Sequence, residues 1–278
     1  MSPATIPGNL LLKNGMVITG EQKNNWTPAD IDTALWLDAA DASTITESGG
    51  VVSQWDDKSG NGRHVTQATA ANQPTFAANA VNGKSAIDFD GNDLLDNTNA
   101  ALQRNLSGST IFSVSKLDVN SAGGKCIFQT VTSGGSTRSI FDYNGGTVTG
   151  FSAAGRRTVT NSFQRQGISA YSGAVALNSA VFDYAAATLS LIENGTITVN
   201  AAAFQDAGAT DNDAGGISVG ALSNNTANWD GYICELLFVD SAVSTDTRQL
   251  IEGYLAHKWG LTANLPADHP YKTAIPVP

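Results

Sequence analysis

The chain has 278 residues, of which 41% are hydrophobic and 14% are charged. This length and this apolar content suffice for one large folded domain, and they exclude an intrinsically disordered protein. The formal net charge is −10, and the basic residues are scattered along the chain. We therefore expect no nucleic-acid partner, because the chain lacks the basic patch that attracts a phosphate backbone.

The first 30 residues differ in composition from the rest of the chain and are rich in Pro, Asn and Gly. Their large apolar residues are confined to two short islands and one aromatic side chain: Leu10, Leu11 and Leu12; Met16, Val17 and Ile18; and Trp26. Because these islands are too small to form a core, we predict that residues 1–30 are an extended assembly arm, with Trp26 buried against a neighbouring subunit. We expect no secretory signal and no membrane insertion, since no basic segment precedes an apolar stretch and no apolar run has the length of a bilayer span.

The middle of the chain alternates short apolar stretches with Gly, Asn, Asp and Ser, as many-stranded β domains do. After a first strand at residues 34–37, strands are predicted at 51–55, 85–89, 110–117, 125–131, 139–143, 147–151, 167–171, 175–184, 188–193, 196–199, 217–221 and 232–239. Asn194 and Gly195 predict a two-residue hairpin turn, because such turns require a positive φ at both central positions. This pattern predicts an all-β, two-sheet antiparallel sandwich.

The last predicted strand leads into one amphipathic helix between Ser244 and Gly260. Ser244 or Thr245 is a suitable N-cap and Gly260 a suitable C-cap, and the helix has an apolar stripe. The stripe contains Leu250, Ile251, Tyr254, Leu255 and Trp259. We predict a domain over residues 31–262 and a tail over residues 263–278. The two cysteines, Cys126 and Cys234, lie in predicted strands and are interpreted as buried free thiols, with a disulfide as the alternative.

Five motifs in order resemble the concanavalin A-like (laminin-G-like) jelly-roll modules of bacterial and phage surface proteins. They are WLDAAD at 36–41, VSQWDDKSGNG at 52–62, AIDFDGND at 86–93, GYICELLFVD at 231–240 and EGYLAHKWGL at 252–261. The resemblance implies a jelly roll over about residues 31–271. It implies little about function, because one fold supports many activities.

Oxygen-rich segments suggest cation sites as alternatives to plain turns. Asp88, Asp90 and Asn92 place oxygen atoms at alternate positions around a glycine, as calcium-binding loops do, although the segment lacks the pattern of an EF-hand. A second group comprises Asp38, Asp41, Asp56, Asp57 and Asn61, and a third comprises Asp211, Asn212 and Asp213. We favour structural turns at the first two groups and a solvated loop at the third, and we expect no cofactor, with calcium as the alternative.

Aromatic side chains are the candidates for sugar binding. Trp55 and Trp229 would stack on glycan rings if they were exposed, whereas their positions within the motifs favour packing in the core. No pair of acidic residues is spaced along a strand as retaining glycoside hydrolysis requires, and no metalloprotease or serine-nucleophile motif occurs in the sequence. We therefore expect a protein without catalytic residues.

Three hypotheses for function follow. The first is a non-enzymatic phage virion structural protein, of the capsid-decoration or fibre type, that is made in the host cytoplasm and exposed on the virion surface. In this hypothesis it attaches through its arm to other virion proteins or to copies of itself, and surface glycans are a further partner. The alternatives are a glycan-binding adhesin or receptor-binding module, and a polysaccharide-degrading enzyme.

Overall fold

The computed structural model describes residues 10–11, 17–18, 25–119, 123–146, 148–168, 173–213 and 215–278. Its strands in chain order are β1 Leu10–Leu11, β2 Val17–Ile18, β3 Leu35–Asp38, β4 Ile45–Ser48, β5 Val51–Trp55, β6 Val65–Thr66, β7 Thr75–Val81, β8 Lys84–Asp90, β9 Leu95–Asn97, β10 Gly108–Leu117, β11 Lys125–Val131, β12 Thr137–Tyr143, β13 Phe151–Gly155, β14 Gln164–Gly167, β15 Ala176–Asp183, β16 Thr188–Glu193, β17 Thr196–Ala203, β18 Ile217–Val219 and β19 Asp230–Val239. The α-helix, α1, spans Thr245–Trp259, and short 3-10 helices lie at Pro28–Asp30, Ala42–Thr44, Ala70–Asn72 and Thr262–Asn264. The predicted all-β class with one C-terminal helix is confirmed.

The strands form two antiparallel layers. The back sheet has the order β7-β8-β19-β10-β15-β16-β17, and β3 continues the edge of β19 beyond β8. The front sheet has the order β4-β5-β6-β9-β18-β11-β12-β13-β14. The layers are joined where Val51 of β5 pairs with Thr75 of β7. This two-layer arrangement is a jelly-roll sandwich.

The core lies between the two sheets and is rich in aromatic side chains. Phe128 of the front sheet meets Phe238 of the back sheet with ring centroids 6.1 Å apart. Because side chains alternate along a strand, Phe238 faces the core while its neighbour Leu237 faces the other side, where α1 packs. The back sheet is therefore covered on both faces around β19.

The helix lies on the outer face of the back sheet, as its apolar stripe predicts. Ile251, Leu255 and Trp259 are fully buried there. The Ser244 side chain accepts a hydrogen bond from the backbone N–H of Thr247, and Gly260 ends the helix with a φ of 70°. The predicted helix and both of its caps are confirmed.

The C-terminal tail folds back over the helix. Tyr271 packs so close to Gly253 that a Cβ at Gly253 would lie 2.4 Å from the Cβ of Tyr271. A glycine within a helix lowers helix stability by about 1 kcal/mol relative to alanine. Here the absence of a side chain leaves space for Tyr271 of the tail. His269 of the tail contacts the buried carboxylate of Glu252 at 3.3 Å.

Trp26 belongs to this helix-side packing. Its side chain is 4% exposed, and its ring meets that of Tyr254 edge-on at a centroid distance of 6.0 Å. Its backbone N–H donates to the carbonyl of Pro276 at 3.0 Å. The prediction that Trp26 is buried against a neighbouring subunit is therefore wrong, because the helix and the tail of the same chain enclose it.

Other N-terminal predictions are resolved in part. Leu10 pairs with Ile18, and Leu11 with Val17, in a separate two-stranded antiparallel sheet. Leu12 and Met16 lie outside the described residues. A one-turn 3-10 helix follows Thr27, with a capping box between Thr27 and Asp30.

Most predicted strands are present, and two are misplaced. The strand expected at 147–151 begins at Phe151, and the strand expected at 167–171 ends at Gly167. In the first case a turn at Asn144 and Gly146, both with positive φ, precedes the strand. The FSAAG sequence of β13 contains no β-branched residue, so it carries little strand signal.

The hairpin and the cysteines agree with prediction. Asn194 and Gly195 have φ values of 50° and 78°, as a two-residue turn requires. Cys126 and Cys234 are free and buried, and burial raises the pKa of both thiols.

None of the helices in the described ranges has the length and apolar character needed to cross a bilayer.

Candidate functional site

The two tryptophans proposed for sugar stacking point inward. Trp55 and Trp229 are both fully buried in the core between the sheets. The Trp229 ring packs edge-on against Tyr143 at a centroid distance of 5.6 Å. Neither ring has a face that a sugar can reach, so glycan stacking at these positions is wrong and the packing alternative holds.

The segment with Asp88, Asp90 and Asn92 forms the end of β8 and a tight turn. The Asp90 carboxylate accepts a hydrogen bond from the backbone N–H of Asn92 at 3.2 Å, and Asp93 accepts one from the N–H of Asp90 at 2.9 Å. Burial raises the pKa of Asp88, and the nearby carboxylate of Asp118 raises it further. Within the described ranges no three His, Cys, Asp or Glu side chains are grouped as a metal site requires.

The second oxygen-rich group is occupied by contacts within the protein. Lys58 lies 2.9 Å from the Asp38 carboxylate and 2.8 Å from that of Asp41. Asp57 accepts hydrogen bonds from the backbone N–H groups of Trp36 and Arg63, each at 3.0 Å. The remaining two members also have partners within the chain. Asp56 contacts His64 at 3.0 Å, and Asn61 donates to the carbonyl oxygens of Thr33 and Ala34.

The third oxygen-rich group contacts two arginine side chains and the loop that contains Ser133. Asp211 contacts Arg138 at 2.7 Å, and Asp213 accepts hydrogen bonds from Ser133. Asn212 accepts a hydrogen bond from Arg104 at 2.8 Å. The structure thus assigns the oxygen atoms of this group to protein donors.

A groove on the outer face of the front sheet is a better candidate site. Its volume is about 460 Å³, and its lining residues are Gln129, Gly135, Ser136, Ile140, Arg156, Phe163, Arg165, Leu222, Ser223 and Asn224. Gln129, Ile140, Ala154 and Arg165 form one continuous row across β11, β12, β13 and β14. With neighbouring strands about 4.8 Å apart, this row is roughly 14 Å long.

The floor of the groove contains a side-chain amide with one polar atom that lacks a hydrogen-bond partner. Gln129 is 1% exposed, and its Nε2 donates to the Ser223 hydroxyl at 3.2 Å. Its Oε1 has no hydrogen-bond partner among the described residues. Exchanging the amide N and O would leave the other atom unpaired, so in either assignment one polar atom of Gln129 is unsatisfied. Such an atom costs about 1–3 kcal/mol until a water or a ligand group pairs with it.

The rim combines an exposed aromatic ring with two arginines that have different partners. Phe163 is 37% exposed, and the Cζ atom of Arg156 lies 5.8 Å from its ring centroid. Arg165 instead forms an ion pair and hydrogen bonds with buried Asp142 and Ser152. Burial raises the pKa of the Asp142 carboxyl, while the Arg165 guanidinium acts in the opposite direction. The groove thus offers a stacking face, hydroxyl and amide groups, and a guanidinium beside the ring.

These groove residues are absent from the sequence-based candidates. One signal was available: Arg156, Arg157 and Arg165 are three of the seven arginines of the chain and lie within ten residues of one another, around Phe163. This local cluster is hidden in a chain whose basic residues are otherwise scattered.

The fold has solved counterparts, although no protein-family model and no curated protein matches the chain. Domain 4 of AbnA, an extracellular GH43 arabinanase from Geobacillus stearothermophilus, in complex with arabinotriose, is 11% identical with a TM-score of 0.52; the match covers 77% of this chain and 95% of that one. The receptor-binding domain of botulinum neurotoxin mosaic serotype C/D is 11% identical with a TM-score of 0.57, over 81% of this chain and 51% of that one. The serotype D ligand-binding domain with N-acetylneuraminic acid is 13% identical with a TM-score of 0.50, over 80% and 50%. The chain therefore spans about half the length of the two toxin structures, and at these identities the shared property is the β-sandwich fold.

Proposed function

We propose that this protein is a glycan-binding module and that its ligand lies in the outer groove of the front sheet. The observation that carries the proposal is that exposed Phe163 and the unsatisfied amide of buried Gln129 line the same groove. Aromatic faces bind the apolar faces of sugar rings, and amide and hydroxyl groups pair with sugar hydroxyls. The volume of about 460 Å³ suits a small oligosaccharide.

Two of the similar structures support this proposal through the ligands they contain. Arabinotriose is bound to the arabinanase domain, and N-acetylneuraminic acid to the serotype D toxin domain. The match covers 95% of the arabinanase domain, so a sandwich of this architecture binds a sugar in that protein, whereas it covers 50% of the toxin chain. The groove residues named above supply the argument for this chain.

We propose that binding is not followed by hydrolysis. Retaining glycoside hydrolysis uses two carboxyl groups about 5–5.5 Å apart that flank the sugar. None of the described residues that line the groove is acidic. Glu235 and Glu252 are fully buried and paired with lysine, arginine and histidine side chains. Release of reducing sugar from a polysaccharide panel, lost on replacement of one carboxylate, would contradict this part of the proposal.

The experiment for glycan binding is an oligosaccharide array followed by calorimetric titration of the bound members. We expect Phe163→Ala to weaken binding about tenfold, equivalent to about 1.4 kcal/mol. Ile197→Ala is the matched control, because Ile197 is 48% exposed on the edge strand β17 and does not line the groove. Absence of any bound oligosaccharide, or equal loss in the two variants, would overturn the proposal.

We also propose a setting for this module, as a phage virion surface protein of the decoration or fibre type that attaches through its N-terminal segment. The observation in favour is that Leu10–Leu11 and Val17–Ile18 pair with each other in a sheet of their own. An adhesin or receptor-binding module is the alternative setting for the same groove. Imaging particles from a phage lysate with an antibody to this protein distinguishes the two, since a virion protein labels the particles and an adhesin does not.

A further inference from the structure

The arginines near the groove differ in how their charge is compensated. Arg138 contacts Asp211 at 2.7 Å, Arg157 contacts Asp206 at 2.5 Å, and Arg165 is paired with a buried aspartate. Arg156 is the exception: within the part of the chain that the structure describes, its guanidinium makes no ion pair and no hydrogen bond. Its Nε is buried without a partner, as are those of Arg138 and Arg157, so the difference lies in the terminal nitrogen atoms of the guanidinium.

We propose that the ligand of the groove is a glycan that carries a carboxylate, as a uronic or sialic acid does, and that Arg156 binds this carboxylate. The proposal rests on the glycan-binding function proposed above and specifies its substrate class. A guanidinium presents two parallel N–H donors that match a planar carboxylate, and such charge-assisted pairs are stronger than neutral hydrogen bonds. Phe163 lies beside the Arg156 guanidinium, so the sugar ring and its acid group would contact neighbouring side chains.

The charge of the whole protein limits which acidic glycans fit. With 25 acidic and 15 basic residues the chain has a net charge of −10, which repels a polyanion at long range. Among the described residues that line the groove, Arg156 is the cation without an ion pair, and it offsets this repulsion locally. We therefore infer that the ligand has an isolated acidic sugar on an otherwise neutral oligosaccharide, and is not a uniformly charged polyuronate.

The test uses an array of oligosaccharides with matched backbones that are neutral, uronic-acid-capped, sialylated or sulfated, together with polygalacturonate. We expect the carboxylated members to bind at least tenfold more tightly than their neutral counterparts. Arg156→Gln should abolish this difference, so that carboxylated members bind no more tightly than their neutral counterparts, and Arg156→Lys should retain part of it. Arg104→Gln is the matched control, because Arg104 is an exposed arginine that contacts Asn212 and does not line the groove.

The outcomes separate this inference from the function on which it rests. Equal binding of neutral and carboxylated members, or tighter binding of sulfated ones, would refute the proposal that the ligand carries a carboxylate. Glycan binding itself would still stand. Tighter binding of polygalacturonate than of singly charged members would refute the inference that the ligand has a single, isolated acidic sugar. If no member binds, glycan binding itself fails. Melting temperatures of the Arg156 and Arg104 variants establish that each is folded.

Discussion

Trp259 of the helix donates its indole N–H to Oε2 of Glu235, a fully buried carboxylate on β19, over 2.6 Å. Trp36 of β3 donates to the other oxygen of the same carboxylate at 2.8 Å. One buried glutamate therefore accepts an indole from the helix and an indole from the sheet. Because buried polar groups must be paired, this shared acceptor fixes the position of the helix on the sheet.

The first prediction concerns Trp259. We expect Trp259→Ala to lower the free energy of unfolding by about 3–5 kcal/mol, because it leaves a cavity and removes a donor from Glu235. Trp259→Phe should cost less, since it removes the donor but retains most of the packing. Urea denaturation of the three proteins measures both effects. An equal loss in the two variants would mean that the hydrogen bond, and not the packing, dominates.

The second prediction concerns the charge beside this contact. Lys258 lies 2.8 Å from Glu235 and 2.6 Å from Asp38, and both carboxylates are buried. Lys258→Met should cost about 3–5 kcal/mol, because it leaves buried charge uncompensated. Adding Glu235→Gln to Lys258→Met should recover part of that loss, with a coupling energy of about 0.5–3 kcal/mol.

A matched control for Lys258 is Lys84, for which the described residues provide no ion pair. Lys84→Met should change the free energy of unfolding by at most about 0.5 kcal/mol. Purely additive effects in the Lys258 and Glu235 double-mutant cycle would contradict the proposed coupling.

The helix and its site on the sheet illustrate how much the sequence determines. Ser244, Gly260 and the apolar stripe between them predict the helix because capping and periodicity are local properties. Strands with several β-branched residues, such as Lys125–Val131, are also predicted at their observed bounds. Strands such as Phe151–Gly155 are missed or misplaced, because their sequences have little intrinsic strand preference.

The groove escapes prediction for a different reason. Gln129 and Arg165 are 36 positions apart in the sequence and reach the same row only through the register of four strands. The direction in which Trp55 of β5 points is likewise set by register, and a shift of one residue would reverse it. Local patterns contain the candidate side chains, whereas pairing between strands decides which of them share a surface.

The third prediction is a pH dependence from Asp93. Burial raises the pKa of Asp93 from 3.8 to about 6, and Asp90 beside it adds repulsion. The folded state therefore binds this proton more tightly than the unfolded state, so the contribution of Asp93 to stability rises as the pH falls from about 7 to about 5. Asp93→Asn should remove this contribution, and it should raise the melting temperature more at about pH 7 than at about pH 5.

Asp41 is the control for this pH effect. A hydrogen bond from Lys58 lowers the pKa of Asp41 to about 2, so its stabilising contribution is lost only as the pH falls below 3.8. Asp41→Asn should therefore change the melting temperature by nearly the same amount at about pH 5 and about pH 7. A pH-independent effect of Asp93→Asn would refute the third prediction.

The fourth prediction concerns calcium at the end of β8. Because Asp90 and Asp93 accept backbone N–H groups of their own turn, we expect chelator and added calcium to leave the melting temperature unchanged. Ligand that binds only the folded state would raise it by mass action. A calcium-dependent rise that disappears in Asp90→Asn would show that this turn binds the ion after all.

The last prediction concerns where the folded domain begins. Since Trp26 is buried against Tyr254 and its backbone pairs with Pro276, the domain needs residues from about position 25 onward. Deleting residues 2–24 should leave the melting temperature nearly unchanged, whereas Trp26→Ala in the full chain should cost about 3–5 kcal/mol. The shortened protein should still bind glycan and should no longer incorporate into phage particles or oligomers, because the paired Leu10–Leu11 and Val17–Ile18 are removed. Normal incorporation of the shortened protein would refute attachment through this segment, and a large fall in its melting temperature would show that residues before 25 belong to the domain.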